Sequence, residues 1–454
     1  MKKIIVIGGG AAGAKAASKA KRLEPGNHVE LYTREDKIAY SLCGLPYFIE
    51  GSVDDINKLI IRTPEDFIKN GIQVFLNHEL QEIYPDKNCV LINNNHIFYD
   101  ELILALGAHV NIPNIENASA GNVFTLRSLE SAVEIKKKME KSKSVLIIGS
   151  GYIAIELTEA FLKNGLSVTI VEIKDRIVSD FDEDFSKLIK NLIVTKTGTR
   201  VDIFCNEKIV KFTVNEENNF KSAISESGKE YSADFCVLAT GALPNVEIAK
   251  NAGIKLGSTG AIYVDTKMRT NIPNIFSCGD CTEEYCIITK QPTYIGLGTI
   301  ANKEGRVAAI NATSLEHFEN FDGVLKSVIT RFFEFTISKT GLTLSEANYY
   351  ASTINIEPIS ATVVKKDKAG YMPDANEITI KLVADKRSGE LLGAQGVGRG
   401  ANVAQRINTI ASALKSRTRV EDLLHLDLPY APPYSGSIDP ILTAAYKLKE
   451  LLNK

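Results

Sequence analysis

A short apolar strand, a cluster of glycines and a helix occur at residues 4 to 23 and again at residues 145 to 164. This internal repeat restricts the possible folds more than any other feature of the chain. The first copy reads Ile4-Ile5-Val6-Ile7-Gly8-Gly9-Gly10-Ala11-Ala12-Gly13, continues in an Ala- and Lys-rich run that stops before Pro25-Gly26, and leads into a strand through Val29-Glu30-Leu31-Tyr32. The second reads Val145-Leu146-Ile147-Ile148-Gly149-Ser150-Gly151-Tyr152-Ile153-Ala154, runs to Asn164-Gly165, and ends in Val168-Thr169-Ile170-Val171-Glu172. Strand, glycine turn, helix and strand in that order build a parallel sheet with crossover helices. Glycines at this spacing permit a tight turn and close backbone approach, so that a pyrophosphate can sit on the positive end of the helix. One such turn is weak evidence, because glycine corners are common; two in the same context are strong.

The expected fold class is α/β: two Rossmann-like dinucleotide-binding domains and a C-terminal α+β domain. With 454 residues the chain exceeds one ordinary domain. Two further strand-to-glycine segments, Leu102 to Ala108 and Phe235 to Ala242, echo each other and are expected to close one nucleotide fold each. After about residue 325 the pattern changes to alternating strands such as Glu377 to Val383, followed by a helix and a Pro-rich tail. A net charge of -2 with dispersed Lys and Arg gives no footprint for nucleic acid or a membrane surface. Met1-Lys2-Lys3 and the apolar run after it resemble the start of a signal peptide, but the run breaks into glycines and reads as a buried first strand. No stretch approaches the roughly eighteen apolar residues of a membrane span. Seven cysteines, an odd number at irregular spacing, argue against a disulfide framework and for a reducing compartment, so the expected location is cytoplasmic.

The surroundings of the two turns separate their cofactors. In Asn274-Ile275-Phe276-Ser277-Cys278-Gly279-Asp280 an apolar strand delivers an acid just after glycine, as needed to hold a ribityl hydroxyl. The first site is therefore expected to take FAD. Its candidate residues are Gly8, Gly10, Ala11, Ala12 and Gly13 in the turn, Thr33 and Arg34 after the second strand, Ala105 and Gly107, Gly279 and Asp280, and Gly298 and Thr299. Thr33 stands where a ribose-binding acid is expected, and a hydroxyl is the weaker partner. The second site is expected to take NADH or NADPH through Gly149, Gly151, Tyr152, Ile153, Glu156, Glu172, Thr240 and Gly241. Glu172 is placed to accept hydrogen bonds from both ribose hydroxyls, which favours NADH. Lys174, Arg176 and the Ala154 that replaces the third glycine keep NADPH open.

One cysteine has a suggestive context: Cys43, in Ile38-Ala39-Tyr40-Ser41-Leu42-Cys43-Gly44-Leu45-Pro46-Tyr47-Phe48-Ile49. It is predicted at the start of a helix, where the helix N-terminus favours a thiolate. A cysteine beside Gly and Pro is more often a packed residue, but a chain committed to FAD and NAD needs somewhere to pass its electrons. Cys278-Gly279-Asp280-Cys281, with Cys286 nearby, has the spacing of a redox or metal pair; the Gly-Asp between them is the flavin motif itself, and no clustered His or second pair accompanies it, so no metal is expected.

Both glycine turns, the Cys43-Gly44-Leu45-Pro46-Tyr47 segment, Gly279-Asp280 and the tail Leu428-Pro429-Tyr430-Ala431-Pro432-Pro433-Tyr434-Ser435 closely resemble the single-cysteine branch of the pyridine nucleotide-disulfide oxidoreductases. That branch comprises coenzyme A-disulfide reductases, NAD(P)H persulfide or polysulfide reductases, NADH oxidases and NADH peroxidases. The resemblance implies a flavin domain (1–112 and 243–322) interrupted by a nicotinamide domain (113–242), and a dimerisation domain (323–454) whose tail completes the partner's active site in a homodimer. It also implies catalytic roles for Cys43, Tyr430 and Tyr371. The peroxidases and most oxidases of the family carry a histidine inside the first turn, where this sequence has Ala11. Arg22 and Lys21 resemble the basic pair that meets the coenzyme A phosphate, and Arg62 is a weaker candidate. Ala39 and Leu42, which flank the thiol on its substrate side, depart from the family's more polar pattern, and coenzyme A held as a mixed disulfide on Cys43 is carried as one option.

The resulting expectation is an FAD- and NAD(P)H-dependent enzyme, with Tyr152 as gate over the flavin, that reduces a small-molecule disulfide, coenzyme A disulfide or persulfide through Cys43. An NADH oxidase that reduces O2 is the alternative within the family. An electron-transfer reductase that docks a small iron-sulfur protein is the alternative from another class, and it needs no thiol beside the flavin.

Overall fold

A computed structural model describes residues 1–314 and 318–453. The first sheet is parallel and five-stranded, in the order Ile275–Ser277, Glu101–Leu104, Lys3–Ile7, His28–Tyr32, Ile72–Phe75. The second is also parallel, in the order Val201–Phe204, Ser167–Val171, Ser144–Ile148, Cys236–Leu238, Val123–Thr125. In each, the strand before the glycine turn is central, with the next strand of the fold on one side of it and a later strand on the other. Each turn therefore opens at a switch point of the sheet, where a crevice forms. Ile4, Ile5, Val6, Val145, Leu146 and Ile147 are fully buried, as continuous apolar runs are in sheets covered on both faces. Strand Ile275–Ser277 reaches the first sheet only after the whole second sheet has formed, so the chain leaves the first sheet and returns to it. The passage is tied by a two-stranded antiparallel ribbon, Ala108–Val110 with Ala242–Pro244.

The third sheet is antiparallel, in the order Val328–Phe332, Phe335–Gly341, Leu391–Arg399, Glu377–Asp385, Pro358–Lys366. Helices Asn402–Lys415 and Pro440–Leu452 share its core through Ile407, Ile410, Ala444 and Leu448. The α/β class with two Rossmann-like sheets and a third α+β unit follows from the sequence pattern. Among the described residues no helix is long and apolar enough to cross a membrane.

Two contacts fix the site. Helix Ala11–Leu23 crosses helix Gly298–Thr313 at backbone distance, where a Cβ on Gly305 would lie 2.2 Å from the Ala12 carbonyl oxygen. Alanines at 12, 16, 17, 301, 308 and 309 fill that interface. The helix that follows Cys43, Leu45–Glu50, is held at its end by Glu50, which pairs with Lys163 of the second unit and with Arg331 of the third at 3.3 Å. Arg331 also meets Glu159 at 3.2 Å, and Glu159 accepts the Phe333 N–H at 2.7 Å. The cysteine segment is thereby anchored to both other units.

Gly305→Val is expected to destabilise the protein by about 1–3 kcal/mol through overpacking against the first turn. A denaturant titration checks this; a midpoint equal to wild type contradicts the crossing.

Candidate active site

The two glycine turns leave helix N-termini without side-chain caps. Gly10 precedes helix Ala11–Leu23 and Gly151 precedes helix Tyr152–Lys163, and neither helix receives a side-chain cap hydrogen bond. Gly8 takes φ +111° and Gly149 φ +99°, and a Cβ there would lie 2.0 Å from the Ala105 and 2.4 Å from the Ala239 carbonyl oxygen. A Cβ on Gly10 or Gly151, by contrast, meets nothing within 4 Å. Each turn is thus tight below and open above its first helical amides, which suits a dinucleotide phosphate and leaves donors for it to satisfy. Helix Gly298–Thr313, where Gly298 and Thr299 lie, is a third uncapped N-terminus.

The strand ends differ. Thr33 is buried and its Oγ1 accepts the Glu35 N–H at 3.3 Å, while Arg34 is exposed. Glu172 is buried against the second turn; its carboxylate accepts from Ser150 Oγ at 2.5 Å and the Lys174 N–H at 2.9 Å. Lys174 Nζ donates to Ser179 Oγ at 2.9 Å, and the Arg176 guanidinium pairs with Asp175 at 3.0 Å. Ile153 is exposed beside the turn. Ala105, Gly107, Thr240 and Gly241 meet at the ribbon: the Asn245 N–H donates to the Gly107 carbonyl at 3.0 Å, the Asn111 N–H donates to that of Gly241 at 2.9 Å, and Thr240 Oγ1 donates to the Asn111 carbonyl.

Asp280 is not alone. Arg127 binds its Oδ2 at 2.6 Å and also donates from Nε to the Ala108 carbonyl at 3.3 Å. Behind Asp280, the Gly279 N–H donates to Glu304 Oε2 at 2.7 Å; Glu304 is fully buried and its Oε1 has no partner. Desolvation pushes Glu304 up to about 8, and desolvation, then the charge of Glu304, pushes Glu284 up to about 9. Burial thus favours the protonated form of both acids, and Asp280 is the carboxylate of this loop that faces a cation. Sequence reading missed Arg127, Glu284 and Glu304. Arg127 stands in an ordinary polar stretch, and the two acids carry no motif.

Cys43 lies in a 3-10 turn, Leu42–Gly44, ahead of a helix of 6 residues. It is exposed; Cys89, Cys236, Cys278, Cys281 and Cys286 are buried, Cys205 is half-buried, and all are free thiols. The expected thiolate-favouring helix end is corrected. Desolvation first, then the charges of Glu156 and Asp280, push the Cys43 thiol above its usual value, and Arg127 opposes them. Those partners are themselves informative: Cys43 lies within electrostatic reach of the Gly279-Asp280 loop, of its Arg127, and of Glu156 on the second nucleotide helix. Desolvation holds Glu156 above the usual carboxylate range, and it accepts Thr330 Oγ1 at 3.0 Å. Ala39 takes φ +50° and its N–H donates to the Gly9 carbonyl at 2.7 Å, which ties the thiol segment to the first turn. Leu42 packs against the main core.

Of the basic pair, Lys21 Nζ donates to the Pro25 and Asn27 carbonyls at 2.8 and 2.7 Å and serves the end of its own helix, while Arg22 is exposed. Arg62 donates to Ser18 Oγ at 2.7 Å and lies 3.8 Å over the Phe67 ring. Tyr152 donates to the Asp180 carboxylate. Tyr430 and Tyr371 are exposed on the third unit, 53% and 75%, in hydroxyl contact with each other beside a groove of about 410 Å³ that Tyr430, Tyr434 and Arg406 line. Among the described residues no group of three or more His, Cys, Asp or Glu is arranged to hold a metal.

Residues 2–306 match the family model for pyridine nucleotide-disulphide oxidoreductases, and residues 328–440 match the dimerisation domain of that family. The chain is 37% identical over 453 residues to a CoA-dependent NAD(P)H sulfur oxidoreductase of Pyrococcus furiosus, with 99% of each chain covered. It is 34% identical over 460 residues to an NADH oxidase of Methanocaldococcus jannaschii, again with 99% of each covered. A solved NAD-dependent persulfide reductase from A. fulgidus superimposes with TM-score 0.94 at 34% identity, over 99% of this chain and 84% of that one.

Because desolvation, and then the charges of Glu156 and Asp280, raise the Cys43 pKa, its alkylation rate is expected to keep climbing with pH beyond the range of an ordinary thiol. Glu156→Gln shifts that profile to lower pH and Arg127→Gln to higher pH. Mass spectrometry of the Cys43 peptide after timed iodoacetamide treatment measures both, and shifts of the opposite sign contradict the arrangement.

Proposed function

Because the chain belongs to the pyridine nucleotide-disulphide oxidoreductase family, we propose that this oxidoreductase uses FAD and NAD(P)H to reduce a disulfide, coenzyme A disulfide or persulfide through Cys43. The observation that carries this reading is the position of the one exposed thiol, within electrostatic reach of the flavin-loop acid Asp280 and of Glu156 on the nicotinamide helix. Residues 1–112 and 243–322 form the flavin domain in this reading, residues 113–242 the nicotinamide domain and residues 323–454 the dimerisation domain.

FAD would be held by the Gly8 to Gly13 turn, the Thr33 and Ala105 to Gly107 edges, Gly279-Asp280 and the start of helix Gly298–Thr313, and it supplies the relay that carries an electron pair from NAD(P)H to sulfur. The chain's own residues do the rest. Gly149 to Tyr152 seat the dinucleotide, and Glu172, already oriented by Ser150, accepts the adenosine ribose hydroxyls. Lys174 and Arg176 are turned to Ser179 and Asp175, which supports NADH over NADPH. Cys43 attacks the substrate sulfur; its S–S bond breaks as the Cys43 mixed disulfide forms, and a thiolate leaves. Arg127 favours the attacking thiolate while Glu156 and Asp280 hold it protonated between turnovers. Tyr430 and Tyr371, exposed on the third unit, serve the partner's site in a homodimer, where Tyr430 protonates the leaving thiolate. Coenzyme A is the thiol this reading places on Cys43, with exposed Arg22 meeting its phosphate and Ala39 and Leu42 beside its pantetheine arm. Seven free thiols suit a reducing cytoplasm.

A second reading, reduction of O2, is supported by the relative named NADH oxidase. NADH consumption matched by O2 uptake and indifferent to added disulfides selects it.

Cys43→Ser is expected to leave flavin reduction by NADH intact and to lower disulfide or persulfide turnover by about a thousandfold or more. Stopped-flow absorbance separates the two; full turnover in this variant contradicts the scheme. Tyr430→Phe is expected to lower turnover by about tenfold to a hundredfold. Subunits carrying Cys43→Ser and Tyr430→Phe separately should regain activity when mixed into one dimer, because one complete site then forms.

A further inference from the structure

Tyr152 is the first residue of its helix, directly after the Gly151 turn. Glu156, one turn further on, shares its face, and Glu156 reaches Cys43 electrostatically. On the reading of that turn as the nicotinamide site, a dinucleotide seated there by its pyrophosphate extends its nicotinamide end past the Tyr152 ring toward the flavin. The ring is not free to move. Its hydroxyl donates to the Asp180 carboxylate, and its edge packs on Phe181 with centroids 6.4 Å apart.

Asp180 is itself clamped from the third unit. Lys339, on strand Phe335–Gly341 and 3% exposed, donates from Nζ to the Asp180 carbonyl at 2.6 Å and pairs with its Oδ2 at 3.3 Å. Glu346, which Lys326 also binds, lies 3.9 Å from Lys339 on the far side. Two residues on, buried Asp182 accepts from the Leu344 and Ser345 N–H groups at 3.1 and 2.9 Å and from Gln395 Nε2 at 2.6 Å. Two residues before, Val178 takes φ +37°, a conformation that disfavours a β-branched side chain, and its N–H donates to the Ser150 carbonyl of the glycine turn at 3.2 Å. The loop is therefore pinned at one end to the nucleotide turn and at the other to the third sheet. Asp180 is the residue through which that fixation reaches Tyr152.

We propose that Asp180 and Lys339 are positioning residues that hold Tyr152 across the nicotinamide path, so that the third domain sets how readily the nicotinamide ring enters. This rests on the reading of the second turn as the nicotinamide site. Entry then requires the phenol to leave Asp180, and the observed affinity is lowered by the fraction of molecules in which it has done so. Lys339 holds Asp180 in place through its carbonyl and its carboxylate, which fixes the acceptor that the phenol bonds. ADP-ribose, which ends before the nicotinamide, does not have to move the ring.

The test is calorimetric titration of the FAD-loaded protein with NAD+ and with ADP-ribose. Asp180→Asn and Tyr152→Phe are each expected to tighten NAD+ by about threefold to tenfold and to leave ADP-ribose unchanged. The double variant should show no further gain, since both changes remove the same bond. Lys339→Met should shift NAD+ in the same direction by a smaller factor. Unchanged or weakened NAD+ binding in Asp180→Asn, gains that add in the double variant, or an equal change for ADP-ribose overturns the latch while leaving the nicotinamide reading intact. A wild-type protein that binds neither ligand refutes that reading and the latch with it.

Discussion

Both nucleotide helices begin on amides that no side chain caps, and both glycine turns lack room for a Cβ on the side that faces the neighbouring strand. A buried helix end without partners is costly unless something else satisfies it. The rest of the molecule is arranged around that requirement. Gly305 lets the helix behind the first turn approach at backbone distance, and the Gly279 amide, bonded to Glu304, fixes the loop that presents Asp280. The cysteine segment is tied to the same turn by the Ala39 amide on the Gly9 carbonyl. A thiol with no special local geometry thus stands beside a cofactor cradle.

Electrostatics at that thiol come from three separate stretches of chain. Arg127 follows the edge strand Val123–Thr125 of the second sheet, Glu156 lies on the second nucleotide helix, and Asp280 follows the last strand of the first sheet. Desolvation is the main cause that raises the thiol's pKa, the two acids add to it and Arg127 opposes them, so whatever neutralises those acids favours the thiolate. Arg127 already claims Asp280 at 2.6 Å. Behind it, burial pushes Glu304 and Glu284 toward their protonated forms, which weakens any competing charge. The same helix that carries Glu156 is joined to the third unit by Thr330 and Phe333, so that unit borders the surroundings of Cys43.

Much of this was legible in the residues. The repeat of strand, glycine turn and helix carries the two parallel sheets, because backbone strain and apolar periodicity are local properties. Glu172 could be placed because it ends the strand after a turn. The environment of Cys43 was not legible, and the expected helix-end stabilisation of its thiolate did not hold. The segment folds as a short turn before a helix of 6 residues, and the charges that decide its acidity are brought in by tertiary contacts. Lys21 looked like half of a phosphate site, yet the turn at Pro25 puts backbone carbonyls within its reach. Asp180 and Lys339 had no motif at all; they acquire meaning only when the third sheet packs on the second nucleotide fold.

The account stands on residue 43 exchanging electrons with the flavin. An anaerobic reductive titration of the native holoenzyme tests this most directly. If Cys43 is a redox partner, full reduction of the oxidised protein consumes two electron pairs per chain, one for the flavin and one for the sulfur bond at Cys43, and a Cys43→Ser variant consumes one. A native protein that is fully reduced by a single pair, indistinguishable from that variant, contradicts it.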